Sequence, residues 1–345
     1  MQAIGHSMGR GATAAAMALM LLVGGGAALG ESCTTQSAMT ATVRDALAAA
    51  GRGLAEKVQA GDASAVRAMT VPEYAKDFRA IENAVAATSA KVKDARLVVE
   101  QVYLLEASDL KLGADGSAPE AQFLCSLNQT IAEAEFTIPT LPPGRYGFAI
   151  VEAHGATPWR LSFLMRQEEG PWLMTGFYPK PMTAAGHDGL WYWTQARVMA
   201  KDKERWNAWL YYLQAESLLN PANFIQSSHL EKLKLEESAA TPPAASEGVS
   251  ATAPLVVRGT DGAEYHFTGI GTDDSLAKDK LDVAARLKVD AIGDPAAARK
   301  RNESAMAALL AAYPEMRKGF HGVWIFAEAP GQNPLATEHA MNEIP

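Results

Sequence analysis

The apolar residues of this chain change their spacing near residue 90, and that change constrains the fold more than any other feature. Between 40 and 59, Leu47, Leu54 and Val58 recur at helical intervals. The predicted helices cover 40–59, a short segment capped by Asp62, and 74–90. Beyond residue 95 the residues alternate as in half-buried strands, at 96–105, 121–127, 132–138, 146–153, 159–167 and 171–178. Helices followed by an antiparallel sheet predict an α+β fold.

The first thirty residues have the composition of a secretory signal peptide. Residues 1–30 contain one basic residue, Arg10, and an apolar run at 14–23 that is followed by small residues. The alternative is an uncleaved membrane anchor, but three glycines at 24–26 interrupt any window long enough to span a bilayer. We therefore predict cleavage after Gly30, no stable membrane span afterwards, and a periplasmic or secreted protein.

The charge of the chain argues against a nucleic-acid partner. The formal net charge is −8, and the acidic and basic residues are distributed along the sequence rather than clustered. Binding to nucleic acid or to an anionic membrane surface requires a basic patch, which this pattern does not supply. We expect no nucleic acid among the partners.

Two cysteines, Cys33 and Cys125, follow the leader. In an oxidising compartment, two thiols without a third competitor are expected to form a disulfide. The alternative is one loose thiol near the start of the mature chain and one buried thiol. Their separation does not form a metal or redox motif.

Two short motifs relate the N-terminal part to a known superfamily. Residues 59–69, QAGDASAVRAM, resemble the turn between the first two helices of the NTF2-like superfamily of cone-shaped α+β proteins, and residues 169–177, EGPWLMTGF, resemble its closing hairpin. The resemblance implies one domain from about residue 40 to residue 178, with a cavity in which an Asp, His or Tyr of some members performs acid–base chemistry. No two such residues converge by spacing here, so we assign no catalytic residue.

An aromatic-rich segment at 183–237 is the strongest candidate for binding a protein partner. Its helical spacing resembles a single tetratricopeptide-like hairpin, which cannot bury its own faces and is expected to pack on the preceding sheet or on another chain. Clustered Trp and Tyr residues are typical of docking surfaces, although the same rings also serve to seal a junction inside a protein. The docking candidates are Trp191, Trp193, Trp206, Trp209 and Tyr212.

The remaining sequence predicts a linker and a small α+β domain. Residues 238–254 are rich in Ala, Ser and Pro and separate a predicted NTF2-like domain at 31–182 and the hairpin from a domain at 255–345. Asp294 followed by proline predicts a helix start, and that helix ends near residue 312. The predicted strands of this domain cover 255–257, 265–270, 281–292, 323–327 and 334–344.

The sequence predicts no metal site and no cofactor. The glycines at 269 and 271 lack the rest of a nucleotide fingerprint, and the sequence favours a surface turn at 269–274. Asp273 and Asp274 do not have the spacing of a calcium loop. The histidines are scattered singly.

Three functional hypotheses follow. The first is an exported, non-enzymatic protein that binds a protein partner or a small ligand, whose identity the sequence leaves unknown. The second is a small cavity enzyme of isomerase or hydrolase type on an NTF2-like fold, and the third is a structural subunit of an envelope assembly.

Overall fold

The computed structural model describes residues 31–127, 131–260, 262–275 and 279–345. The predicted signal peptide at 1–30 lies outside these residues. Within them the protein combines helices with antiparallel sheets, which confirms the α+β class. No helix in this part of the chain combines the length and apolarity needed to cross a membrane.

The N-terminal region contains three helices, and their boundaries follow local signals. They are α1 (Ala41–Gln59), α2 (Ala63–Ala68) and α3 (Arg79–Val92). Gly61 has a φ of +69° after α1, a conformation that favours glycine. The carboxylate of Asp62 then accepts a hydrogen bond from the backbone N–H of Ala65 at 2.9 Å, which confirms the predicted cap of α2.

The strands of this region form two sheets. They are β1 (Ser32–Thr35), β2 (Arg96–Glu106), β3 (Ala121–Leu127), β4 (Ile131–Ile138), β5 (Arg145–His154), β6 (Trp159–Gln167) and β7 (Trp172–Pro181). The N-terminal sheet has the order β1-β2-β5-β6-β7, and β3 and β4 pair in a separate small sheet. Each predicted strand is present, whereas β1 was not predicted.

Both faces of the N-terminal sheet are buried. One face packs on α1–α3, where Gly147 lets Leu47 approach so closely that a Cβ at position 147 would lie 2.1 Å from its Cδ2 atom. The opposite face packs on the small sheet, where the ring of Phe136 lies 5.2 Å from Tyr103 and 5.3 Å from Phe148 between ring centroids. The result is a layer of helices, a central sheet and a covering sheet.

A disulfide joins the central sheet to its cover. Cys33 in β1 and Cys125 in β3 are bonded, with their Cα atoms 4.9 Å apart, as the sequence predicted. Because the two strands belong to different sheets, the bond connects the two sheets covalently.

The layers formed by α1–α3, the central sheet and the small sheet are called the sandwich below. Three helices follow it along the chain. After the short strands β8 (Thr183–Ala184) and β9 (His187–Asp188), the predicted hairpin consists of α4 (Gly189–Lys201) and α5 (Arg205–Leu219). The strand β10 (Ile225–Gln226) then joins the small sheet beside β4, and α6 (Ser228–Ala240) follows. The sequence analysis did not predict α6, which continues three residues into the segment read as a linker.

The C-terminal part forms a five-stranded sheet with one long helix. Its elements are β11 (Leu255–Arg258), β12 (Glu264–Asp273), β13 (Asp282–Lys288), α7 (Pro295–Ala312), α8 (Met316–Gly319), β14 (Gly322–Glu328) and β15 (Leu335–Ala340). Asp294 caps α7 as predicted, accepting from the N–H groups of Ala296 and Ala297. The turn predicted at 269–274 is wrong, because residues 269–273 pair with β13 and extend β12.

The hairpin and the C-terminal sheet share one hydrophobic core. Trp206 packs on Tyr313 with ring centroids 4.6 Å apart. The hydroxyl of Tyr211 donates to the carbonyl of Gly319 at 2.8 Å. The sequence placed the hairpin against the preceding sheet or another chain, and the structure adds this C-terminal contact. The division into domains stays a prediction.

Removing the disulfide is expected to lower stability strongly. The bond closes a loop with a sequence separation of 92 residues. In the chain-entropy treatment a loop of that length contributes about 4–5 kcal/mol to the free energy of unfolding. We expect the double variant Cys33→Ala, Cys125→Ala to lose that amount in urea denaturation without reductant. Wild-type protein should lose a similar amount when reduced, whereas reductant should leave the variant unchanged. A wild-type curve that reductant does not shift would contradict the prediction.

Candidate ligand-binding site

The aromatic docking candidates lie mainly inside the protein. Trp193, Trp206 and Tyr212 are buried, and Trp191 and Trp209 are partly buried against the same core. Rings that are buried within their own chain contribute their area to its core. Docking through these residues stays a prediction.

Polar contacts of Trp193 lock α4 against α6. The indole Nε1 donates to Oε2 of Glu236 at 2.8 Å, and Nη2 of Arg197 donates to Oε1 of the same carboxylate at 2.9 Å. The guanidinium of Arg197 lies 4.5 Å from the centre of the Trp193 ring. The Arg197 hydrogen bond is the main cause of the lowered pKa of Glu236. Trp193 is therefore held in one orientation.

Truncating Trp206 should test whether the rings serve the core. Trp206→Ala is expected to cost about 3–5 kcal/mol of unfolding free energy, because a buried indole leaves a large void. Trp206→Phe should cost less, since it keeps part of the contact with Tyr313. The control Leu235→Ala, at a position that is 72% exposed, should change stability by no more than about 0.5 kcal/mol. Equal urea midpoints for wild type and Trp206→Ala would show that the ring is not buried in solution.

A cavity of about 500 Å³ lies where the sandwich meets α4 and α6. Its lining is mostly apolar and comes from the central sheet, the small sheet and all three helices of the aromatic segment. The lining residues are Tyr103, Ala134, Ile150, Leu190, Trp193, Leu219, Pro221, Ile225, Ser227, His229 and Leu230.

Strand alternation and helix caps place these side chains. Tyr103 and Ile150 alternate with residues that face α1–α3, so they project towards the small sheet. Leu190 lies in the first turn of α4, where Asp188 caps the helix by accepting from the N–H of Trp191 at 2.8 Å. Ser227 caps α6 by accepting from the N–H of Leu230 at 3.2 Å. Helices α4 and α6 therefore each begin beside the cavity, at a residue whose side chain caps the helix.

Arg160 holds the end of α5 beside the cavity. Its Nη1 donates to the carbonyl of Leu218 at 3.0 Å, and its Nη2 lies 3.7 Å from Oε1 of Glu152. The side chain is only 14% exposed, and burial lowers its pKa, an effect that the Glu152 carboxylate partly offsets. A cation at the last carbonyls of a helix is favourable. This contact ties Leu219, which lines the cavity, to the central sheet.

The lining is suited to binding a largely apolar molecule. His229 and Ser227 contribute polar groups at the beginning of α6, while Ile150, Leu219 and Leu230 contribute apolar surface. Pockets of this kind bind the body of a ligand by apolar contact and orient it with a few polar groups. In the described ranges, no three His, Cys, Asp or Glu residues come together as a metal site.

The space between α1–α3 and the central sheet is filled rather than hollow. Leu47, Leu54 and Val85 from the helices and Phe163 from β6 are fully buried there. Among the Asp, Glu, His, Lys and Arg residues described, Asp282 is the one that is buried, and it belongs to the C-terminal sheet. The NTF2-like resemblance implies a cavity between the helices and the sheet, whereas the observed cavity lies on the opposite face of the central sheet.

A pair of carboxyl groups lies between α5 and α6. Glu237 lies beside Glu216. Burial, followed by the neighbouring Glu216 carboxylate, raises the pKa of Glu237 from 4.5 to about 7, an increase that the neighbouring Trp209 side chain partly offsets. Nζ of Lys234 lies 3.5 Å from Oε1 of Glu216 and partly compensates the negative charge.

The raised pKa of Glu237 predicts a pH dependence of stability. Between the two pKa values the folded protein holds a proton that the unfolded chain releases, so the free energy of unfolding falls as the pH rises from about 5 to 8. We expect Glu237→Gln to remove this contribution. The control Glu231→Gln, at an exposed position of the same helix, should keep it. Urea denaturation at several pH values measures the difference, and identical pH profiles for wild type and Glu237→Gln would contradict the assignment.

The sequence analysis missed the cavity because it missed α6. The segment Ser228-His229-Leu230-Glu231 has the Ser-x-x-Glu pattern of a helix start and lies one residue beyond the observed cap. That signal was available in the sequence. The convergence of Tyr103, Leu190 and His229 had no local signal, because more than a hundred residues separate Tyr103 in β2 from His229 in α6.

The comparisons with known proteins leave the family open. No protein-family model, curated protein or solved structure matches this chain. The NTF2-like and tetratricopeptide-like resemblances therefore stay predictions.

Proposed function

We propose that this chain is an exported protein that binds a small, largely apolar ligand in the cavity between the sandwich, α4 and α6. The observation that carries the proposal is the cavity itself, which is about 500 Å³ in volume and mostly apolar in its lining. Both properties fall within the range of sites that hold small molecules in proteins. The NTF2-like resemblance of the surrounding helices and sheet is part of the same proposal.

The exposure of Leu190 supports access from solvent. Leu190 lines the cavity and is 59% exposed, so it lies at the rim. Trp193 lines the same cavity but is buried and held by Glu236. An apolar ligand that enters past Leu190 would cover exposed apolar surface, which is favourable in water. The burial of Trp193, Trp206 and Tyr212 favours this small-ligand function over docking through the rings.

The disulfide supports the exported location. Cys33 and Cys125 are bonded, and such bonds persist in oxidising compartments. The leader at 1–30 has the composition of a signal peptide. Periplasm or extracellular space is therefore the location we propose.

Substituting the rim should weaken ligand binding without affecting the fold. We expect Leu190→Gln to reduce the affinity for the fluorescent apolar probe N-phenyl-1-naphthylamine by about tenfold, because an apolar contact is lost. Val198→Gln is the matched control, since Val198 is 48% exposed on the same helix and does not line the cavity. Probe fluorescence gives the affinity, and thermal melting shows that both variants fold.

Two results would reject the cavity as the binding site. If the wild-type protein does not bind the probe, or if both variants bind it as tightly as wild type, the cavity is not the binding site. If the probe does bind in the cavity, its displacement by straight-chain fatty acids or by aromatic compounds would show which class of ligand the cavity prefers.

A further inference from the structure

The C-terminal sheet has one face that the hydrophobic core leaves open. Its inner face packs on α5 and α7 through residues such as Phe267, Ala285 and Ile325. On the outer face, strand pairing forms two neighbouring rows across β12, β13 and β14. These rows are Gly269, Arg286 and Phe326, and Gly271, Ala284 and Trp324. A cleft of about 550 Å³ lies on this face.

The floor of the cleft is open because Gly271 has no side chain. A Cβ atom at Gly271 would meet no atom within 4 Å, and the residue does not have a positive φ. Neither the backbone nor the packing of this chain therefore requires glycine at the position. Gly269 differs, since a Cβ there would lie 3.1 Å from Cδ of Arg286. The missing side chain at 271 leaves space that a ligand can fill.

The cleft has an aromatic wall. Phe326 lines it, and Trp324 stacks beside Phe326 with the rings 11° from parallel and their centroids 5.6 Å apart. Aromatic faces carry negative charge density and attract weakly positive C–H groups as well as apolar surface. The wall therefore suits a ring with an apolar face.

The rim of the cleft offers hydrogen-bond donors and acceptors together. Nη1 of Arg286 donates to Oε1 of Glu328 at 3.0 Å, and the Arg286 side chain is 66% exposed, so this pair is weakly held. The Asp273 carboxylate also lines the cleft and is oriented by the N–H of Ser275 at 2.9 Å. An anion would be repelled by the two carboxylates, and a cation by the guanidinium. A hydroxyl group both donates and accepts, so it can bind to both kinds of side chain.

From the open floor, the aromatic wall and the mixed rim, we propose that this cleft is a second binding site, which takes a saccharide. One face of a pyranose ring consists of C–H groups and packs on Phe326, while the hydroxyl groups at its edge bind Arg286 and Glu328. Asp273 lies four residues along β12 from Gly269, about 13 Å at the usual strand rise, and it binds a second sugar unit. The site is separate from the apolar cavity and does not depend on the function proposed for it.

The experiment uses three disaccharides and one blocking substitution. Isothermal titration of the full exported chain with maltose, cellobiose and N,N′-diacetylchitobiose should show saturable binding of at least one. Gly271→Val should weaken that binding by about tenfold, because the valine side chain occupies the floor. It should not lower the melting temperature, since valine is favoured in strands. His266→Val is the matched control on the same strand outside the cleft, and it should bind as wild type does.

A second variant tests the rim, and each alternative outcome overturns the proposal. Arg286→Gln removes an exposed cation and should weaken saccharide binding while leaving the binding of N-phenyl-1-naphthylamine unchanged. Absence of binding for all three disaccharides would reject a saccharide site. Equal affinity of wild type and Gly271→Val would also reject it, because the sugar would then bind outside the cleft.

Discussion

The central constraint on this structure is that the N-terminal sheet is apolar on both faces. Val102 and Ala149 face the helices, and Tyr103 and Phe148 face the small sheet, so neither side tolerates water. The helices α1–α3 cover one face. The other face needs a second layer, which β3, β4 and the late strand β10 provide. The disulfide between Cys33 and Cys125 then holds this layer to the edge of the sheet it covers.

The cavity lies where that cover passes to the helices of the aromatic segment. Three kinds of surface meet there, namely a sheet face, the first turn of α4 and the beginning of α6, and side chains of different origin do not fill the junction completely. Arg160 joins the central sheet to the end of α5 by a hydrogen bond, and Glu236 joins α6 to α4 by accepting from Trp193. Polar anchors of this kind hold α4, α5 and α6 in place while leaving the apolar space between them open.

Much of the fold was predictable, since most elements carry local signals. Asp62 and Asp294 cap the helices that the sequence assigned to them, and the strands from 96 to 178 follow their alternation. The misses have physical reasons. The strand β1 is too short to show a pattern, and β12 continues through Gly269 and Gly271 because pairing with β13 compensates their weak strand preference. Of the residues that line the cavity, the sequence analysis named only Trp193 as a site residue, and it did so as a docking candidate rather than as part of a cavity.

The sequence by itself determined the α+β class, the order of the main elements, the pairing of the only two cysteines and the helical hairpin of the aromatic segment. These properties depend on periodicity, caps and composition, which act over a few residues. Only the tertiary structure decided that the hairpin shares its core with the C-terminal sheet, that the helix side of the central sheet is filled, and that the cavity opens beside Leu190. Apolar faces that are far apart in the sequence compete to pack on one another. The patterns within a single helix or strand do not show which pairing is the most stable.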